Sequence, residues 1–137
     1  MKGTALRRKK PLKKKSSAAS IKRRLDDLCR AVVFARDRNK CRLADAGMGP
    51  CGGHLQACHI LAKGHYPSLR FEPDNVIAGC WRHHAPQSPA SWHSNPMDYA
   101  QWFMSEYRRR WMRLELLRME TRKLDYEEEE RKLRSLL

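Results

Sequence analysis

Four of the five cysteines and all six histidines of this 137-residue chain lie between residues 39 and 95. No other feature constrains the fold as tightly. The same stretch carries most of the glycine and proline, and helical periodicity disappears within it. A middle third with so little apolar pattern needs a staple other than a hydrophobic core. No run of about 18 apolar residues exists, so no segment is expected to span a membrane. The N-terminus is basic but leads into no apolar stretch, which argues against a secretory signal and for a cytoplasmic setting. In a reducing compartment, cysteines interleaved with histidines are metal ligands before they are disulfides.

Cys80 and His83 form a ligand pair at two-residue spacing, able to hold two corners of a tetrahedral zinc. Cys41 and Cys51 are the best candidates for the other two corners. Cys51 is followed by Gly52-Gly53, which lets the backbone turn tightly behind a ligand. A competing set of Cys51, His54, Cys80 and His83 ranks second because it leaves Cys41 unused.

Three more residues stand out: His59, Asn75 and His84. His84 follows His83, and adjacent helical residues point about 100° apart, so the two do not readily serve one tetrahedral ion. His59 follows Cys58 on a short strand over residues 54–60, where neighbours face opposite sides. Residues 76–78 are the expected partner strand. An imidazole that titrates near neutrality suits a general base.

Elsewhere the pattern is helical. Ser20 reads as an N-cap, and Ile21, Leu25, Leu28, Cys29, Val32 and Val33 recur on one face of a helix running to about Arg38, with Cys29 in the core. Asn95-Pro96 reads as a cap and first turn, followed by aromatics at Tyr99, Trp102, Phe103 and Tyr107. Residues 113–137 stay helical, with i,i+4 pairs Glu127–Arg131, Glu128–Lys132 and Glu130–Arg134. Their broken apolar stripe (Leu114, Leu117, Leu124, Leu133 and Leu136) packs on the domain, or serves as a homodimer or protein-partner surface.

The net charge of +14 comes from 29 basic and 15 acidic residues, and it is unevenly placed. Residues 1–24 hold 11 basic residues and no acidic one, so the rest of the chain is only +3. Arg7, Arg8, Lys9, Lys10, Lys13, Lys14 and Lys15 make a tail too polar to bury much surface. Such a tail is expected to be disordered and to track DNA phosphates, giving affinity more readily than specificity.

The order Cys41…Cys51-Gly52…His59-Ile60…Asn75…Cys80-x-x-His83-His84 resembles the HNH, or ββα-metal, endonucleases. It is closest to phage-encoded members, including the junction-resolving recombination nucleases. Three flanking segments add to the likeness: Ala35-Arg36-Asp37 before Cys41, Leu69-Arg70-Phe71-Glu72-Pro73-Asp74-Asn75, and Trp92-His93-Ser94-Asn95-Pro96. The resemblance covers roughly residues 21–107.

It implies an α+β fold. A small zinc-stapled, treble-clef-like ββα-metal core over residues 20–110 is flanked by helices, with a tail over 1–19 and a C-terminal helical extension over 111–137. It implies a metal-dependent DNA endonuclease acting on branched recombination DNA or in genome packaging. If phage-encoded, the chain would work in the host cytoplasm. By resemblance His59 is the general base, Asn75 fixes the loop and the base (or donates an oxygen to metal), and His84 and His93 bind the catalytic divalent ion. Arg70 is a candidate phosphate contact. Where the family often has Asp or His before the base, this chain has Cys58: a soft thiolate ligand, or a small buried residue. Nitrogen and sulfur donors favour Mn²⁺, Ni²⁺ or Zn²⁺ over Mg²⁺. The alternative is a non-catalytic zinc-stapled nucleic-acid-binding module.

Overall fold

The computed structural model describes Gly3 and residues 17–137. The basic tail cluster Arg7–Lys15 lies outside the described residues. The described residues form a mixed α+β architecture, with five α-helices and one two-stranded sheet. No described helix is long and apolar enough to cross a membrane.

Helix α1 spans Ala18–Arg36. Its cap is Ser17, not Ser20: the Ser17 hydroxyl accepts the Ser20 N–H at 3.2 Å. The helix ends two residues early because Arg38 and Asn39 take left-handed backbone angles, φ 57° and 53°, which turn the chain toward Cys41. A short 3₁₀ turn, Leu43–Ala46, follows.

Strands β1 (Leu55–His59) and β2 (Val76–Cys80) pair antiparallel, with His59 opposite Val76 and Leu55 opposite Cys80. Residues 54 and 60 flank β1 and are still tied to the hairpin, through Trp81 N–H to His54 C=O and Ile60 N–H to Asn75 C=O. All five β2 residues are buried, so this strand is sandwiched rather than half-solvated. Its side chains alternate between two apolar clusters. Val76, with Ala57 of β1, joins Leu25, Cys29, Val33 and Phe71 on the α1 side. Ile77, with Cys58 of β1, joins Leu43, Tyr99 and Phe103 on the other side. The free edge of β2 is closed by Asp37, whose carboxylate accepts the Ala78 N–H at 2.9 Å.

Beyond β2 come a single helical turn, α2 (Trp81–His84), then α3 (Pro96–Glu106), α4 (Arg108–Leu117) and α5 (Tyr126–Ser135). The C-terminal stretch is therefore not one helix. It breaks after Leu117 and restarts at Asp125, whose carboxylate accepts the Glu127 and Glu128 N–H groups at 3.1 and 3.3 Å. Local propensity favours continuation, but packing overrides it. Leu114 is buried in the α3 cluster and Leu133 in the α1 cluster, on opposite faces of the sheet. A straight helix cannot reach both. The apolar stripe thus packs at these two positions within the domain, and the boundary at residue 110 divides sequence character rather than packing. Of the three expected i,i+4 pairs, Lys132–Glu128 and Arg134–Glu130 form.

Candidate metal centre and histidine cleft

Two sites flank the hairpin. The first gathers Cys41 (after the α1 reversal), Cys51 (before Gly52-Gly53), Cys80 (the last residue of β2) and His83 on α2. Their ligand atoms all lie within 4.8 Å of one another, so this group could hold a metal ion. His83 Nδ1 is 3.2 Å from Cys80 Sγ, 3.5 Å from Cys41 Sγ and 3.8 Å from Cys51 Sγ. A tetrahedral zinc at about 2.3 Å from sulfur and 2.1 Å from nitrogen sets such separations near about 3.6 Å. The ring orientation also fits. His83 Nε2 lies 3.0 Å from the Gly49 carbonyl, which can only accept, so the proton sits on Nε2 and the Nδ1 lone pair faces the three sulfurs.

The wall behind this cluster is tightly built. Arg82 donates to the Pro50 carbonyl at 2.5 Å, clamping the loop that delivers Cys51. Gly53 has φ +80°, and a Cβ there would sit 2.6 Å from Trp81 Cβ. His54 is not part of the cluster. It takes the Gln56 amide N–H at 2.8 Å, so the second-ranked ligand set is not the one assembled.

The second site is a cleft of about 690 Å³ between α1, the length of β1 and the segment carrying His84 and His93. His59 lines it from the end of β1. Its Nε2 lies 2.9 Å from the Arg70 carbonyl. A carbonyl has no proton to give, so Nε2 carries the hydrogen and Nδ1 keeps its lone pair. Burial pushes the His59 pKa below its usual value, helped by the Lys63 and Arg70 charges and opposed by the Arg70 carbonyl and Asp26. The ring is therefore neutral at pH 7 and able to accept a proton.

His84 repeats the device. Its Nδ1 donates to Gln56 Oε1 at 2.6 Å, leaving Nε2 unprotonated. Burial, with smaller contributions from His93 and His59, brings its pKa down to about 4. His93 comes alongside, with ring centres 5.4 Å apart. Ser88 and Ser91, both buried, fold the intervening segment Ala85–Ser91 back through hydroxyl bonds to the Arg82 and Ser88 carbonyls.

Asn75 is buried, and all three of its side-chain contacts go to backbone: Leu61 N–H, Leu61 C=O and Leu69 C=O, at 2.8, 3.0 and 3.1 Å. It pins the loop between the strands and is not part of the cleft lining. Cys58 packs in the cluster with Ile77 and Tyr99, and burial pushes its thiol up to about 12. That burial is what the reading as a small buried residue expects. Arg70 borders the cleft, and its guanidinium is paired with Asp26 of α1 through Nε and Nη2 at 3.0 and 2.7 Å. Three cleft residues, Asp26, Gln56 and Lys63, were missed from the sequence. None carries a motif spacing; Asp26 and Gln56 are defined by partners distant along the chain.

No family model, curated protein or solved structure matches this chain.

Proposed function

We propose that the chain is a metal-dependent DNA endonuclease of the HNH type, with a structural zinc at Cys41, Cys51, Cys80 and His83. One observation carries the reading: His59, held with Nδ1 unprotonated, shares a cleft with the paired rings of His84 and His93. Three imidazoles around one open volume suit proton abstraction beside a divalent ion. The hairpin β1–β2 running into α2 supports the ββα-metal, treble-clef-like reading of the core.

His84 and His93 would hold the catalytic ion. Two imidazoles bound at about 2.1 Å to one tetrahedral centre bring their ring centres about 5 Å apart, close to the 5.4 Å seen. When bound, that ion would polarise the phosphodiester and stabilise the leaving oxygen. In the chemistry assigned to the chain's own residues, His59 Nδ1 takes a proton from water as its oxygen bonds to phosphorus. The phosphorus–O3′ bond breaks, and the 3′ oxygen leaves as a hydroxyl after protonation, so the products are a 5′-phosphate and a 3′-hydroxyl. Asn75 holds the loop, and Gln56 orients His84. The basic residues of the tail, Arg7 to Lys15, would bind DNA backbone. A phage setting and a role on branched DNA or in packaging belong to the same proposal.

Purified protein should cleave linear, nicked, flap or four-way-junction DNA when supplied with divalent metal. His59→Ala should lower the rate by about 10²–10⁴-fold with folding and DNA affinity retained. Binding without cleavage on any substrate, with Mn²⁺, Ni²⁺, Zn²⁺ or Mg²⁺, would instead support the zinc-stapled nucleic-acid-binding module.

A further inference from the structure

We propose that Asp26, on the third turn of α1, is a positioning residue for the His59 base, acting through Arg70. The inference rests on the nuclease reading for its kinetic consequence, but not for its geometry. Both carboxylate oxygens of Asp26 are used. Arg70 Nε lies 3.0 Å from one and Arg70 Nη2 lies 2.7 Å from the other. A two-point guanidinium–carboxylate contact fixes the plane of the fork as well as its distance, so it restrains the residue that carries the fork. That residue's carbonyl is the acceptor for His59 Nε2–H.

Asp26 adds a hold from outside the loop to those within it, the Arg70 N–H on the Pro67 carbonyl and the buried Phe71 alongside. Arg70 follows the three-residue 3₁₀ turn Pro67–Leu69, in the stretch between the two strands, and its carbonyl belongs to no sheet ladder. Asn75 pins that stretch at Leu61 and at Leu69, and so stops one residue short of Arg70. Asp26 reaches across 44 positions of sequence to hold the next residue. The base is thus fixed from two directions, by the loop's own Asn75 and by the preceding helix. Both side chains of the pair are partly exposed, at 25% and 33%. An ion pair so placed adds little to stability, which separates a positioning role from a merely structural one. A misplacement of the base of about 1 Å costs on the order of 10²-fold in rate.

The test compares the full-length, zinc-loaded protein with Asp26→Ala and with the charge-swapped double variant Asp26→Arg/Arg70→Asp. Alanine preserves α1, so the single variant should melt within a few degrees of wild type. Its KM for DNA should stay within about two-fold while kcat falls about 10- to 100-fold, and the swap should recover most of the loss. An activity-independent arm reads the His59 ring by ¹⁵N NMR at pH 8. The wild type should show the Nε2–H tautomer, and Asp26→Ala a mixture of both. An unchanged tautomer in Asp26→Ala overturns the proposal, as does an unchanged kcat. A rise in KM alone overturns it in favour of a DNA contact, and a faster enzyme overturns it in favour of Asp26 masking Arg70. If the wild type cleaves no DNA, the nuclease reading fails, and the NMR arm still decides whether Asp26 holds His59.

Discussion

The cysteine cluster and the histidine cleft use the same device to opposite ends. In each, an imidazole donates one N–H to a fixed acceptor: His83 to the Gly49 carbonyl, His59 to the Arg70 carbonyl, His84 to the Gln56 amide oxygen. In each, the other nitrogen is left with its lone pair. At His83 that lone pair meets three sulfurs within 3.8 Å. At His59 and His84 it meets an open cleft of about 690 Å³. A closed set of four ligands leaves an ion no position for substrate, whereas a site with vacant positions can accept water and a phosphate. One hairpin thus carries a closed cluster of four candidate ligands beside an open cleft lined by three imidazoles.

The largest effect should come from breaking the closed centre. Cys80→Ser should abolish zinc retention and cooperative unfolding together, because structural zinc binding in small modules contributes on the order of 10 kcal/mol of folding energy. Elemental analysis and a circular-dichroism melt read both. A variant that kept its zinc and its melt would remove the distinction between the two sites. The open centre should respond differently. His84→Ala should keep the zinc and the melting temperature but lose cleavage and the loosely held second ion. EDTA should stop cleavage before it unfolds the protein, and Mn²⁺ should activate better than Mg²⁺, since the donors are nitrogen. Best activation by Mg²⁺, or full activity in His84→Ala, would remove His84 from the ligand set.

The two sites also differ in how far they could be read from the sequence. The Cys41, Cys51, Cys80, His83 set was legible because ligand chemistry limits residue types and the turn geometry limits spacing. The strand pair was legible for a related reason: His59 and Cys58 alternate across a sheet whose two faces are both buried. The positions of α1 and β2 came out within a few residues, with end errors set by capping at Ser17 and by the left-handed Arg38 and Asn39. The break between α4 and α5 was not legible, because it arises from Leu114 and Leu133 packing on opposite faces of the sheet, which helical propensity does not report. The supports of the cleft were hidden as well. The pairing of Arg70 with Asp26 was not legible, because no local pattern announces an ion pair across 44 residues. Gln56 was passed over for the same reason, since its role depends on His84 being 28 residues away along the chain.

The smallest expected effect sharpens the comparison through two glycines. Gly53 stands behind the cysteine cluster with φ +80°, and an added Cβ would come within 2.6 Å of Trp81 Cβ. Gly53→Ala therefore combines a disfavoured backbone angle with a clash against a side chain fixed at the start of α2, and should cost about 2 kcal/mol or more. Gly64 stands in the turn beside the cleft. Its φ is not positive, and a Cβ built on it meets nothing within 4 Å. Here alanine removes freedom from the unfolded chain without straining the folded one, so Gly64→Ala should be neutral or stabilising by about 0.4–1 kcal/mol. Thermal melts of the two single variants give the contrast directly. Equal losses at both positions would mean that the turn over the cleft is as tightly packed as the wall of the metal cluster, and the division into a closed and an open centre would fall. Cleavage by Gly64→Ala adds a second reading. The methyl group would project into space that is empty in the free protein, so a drop in kcat/KM without any loss of stability would mark this turn as a place where the DNA backbone comes close.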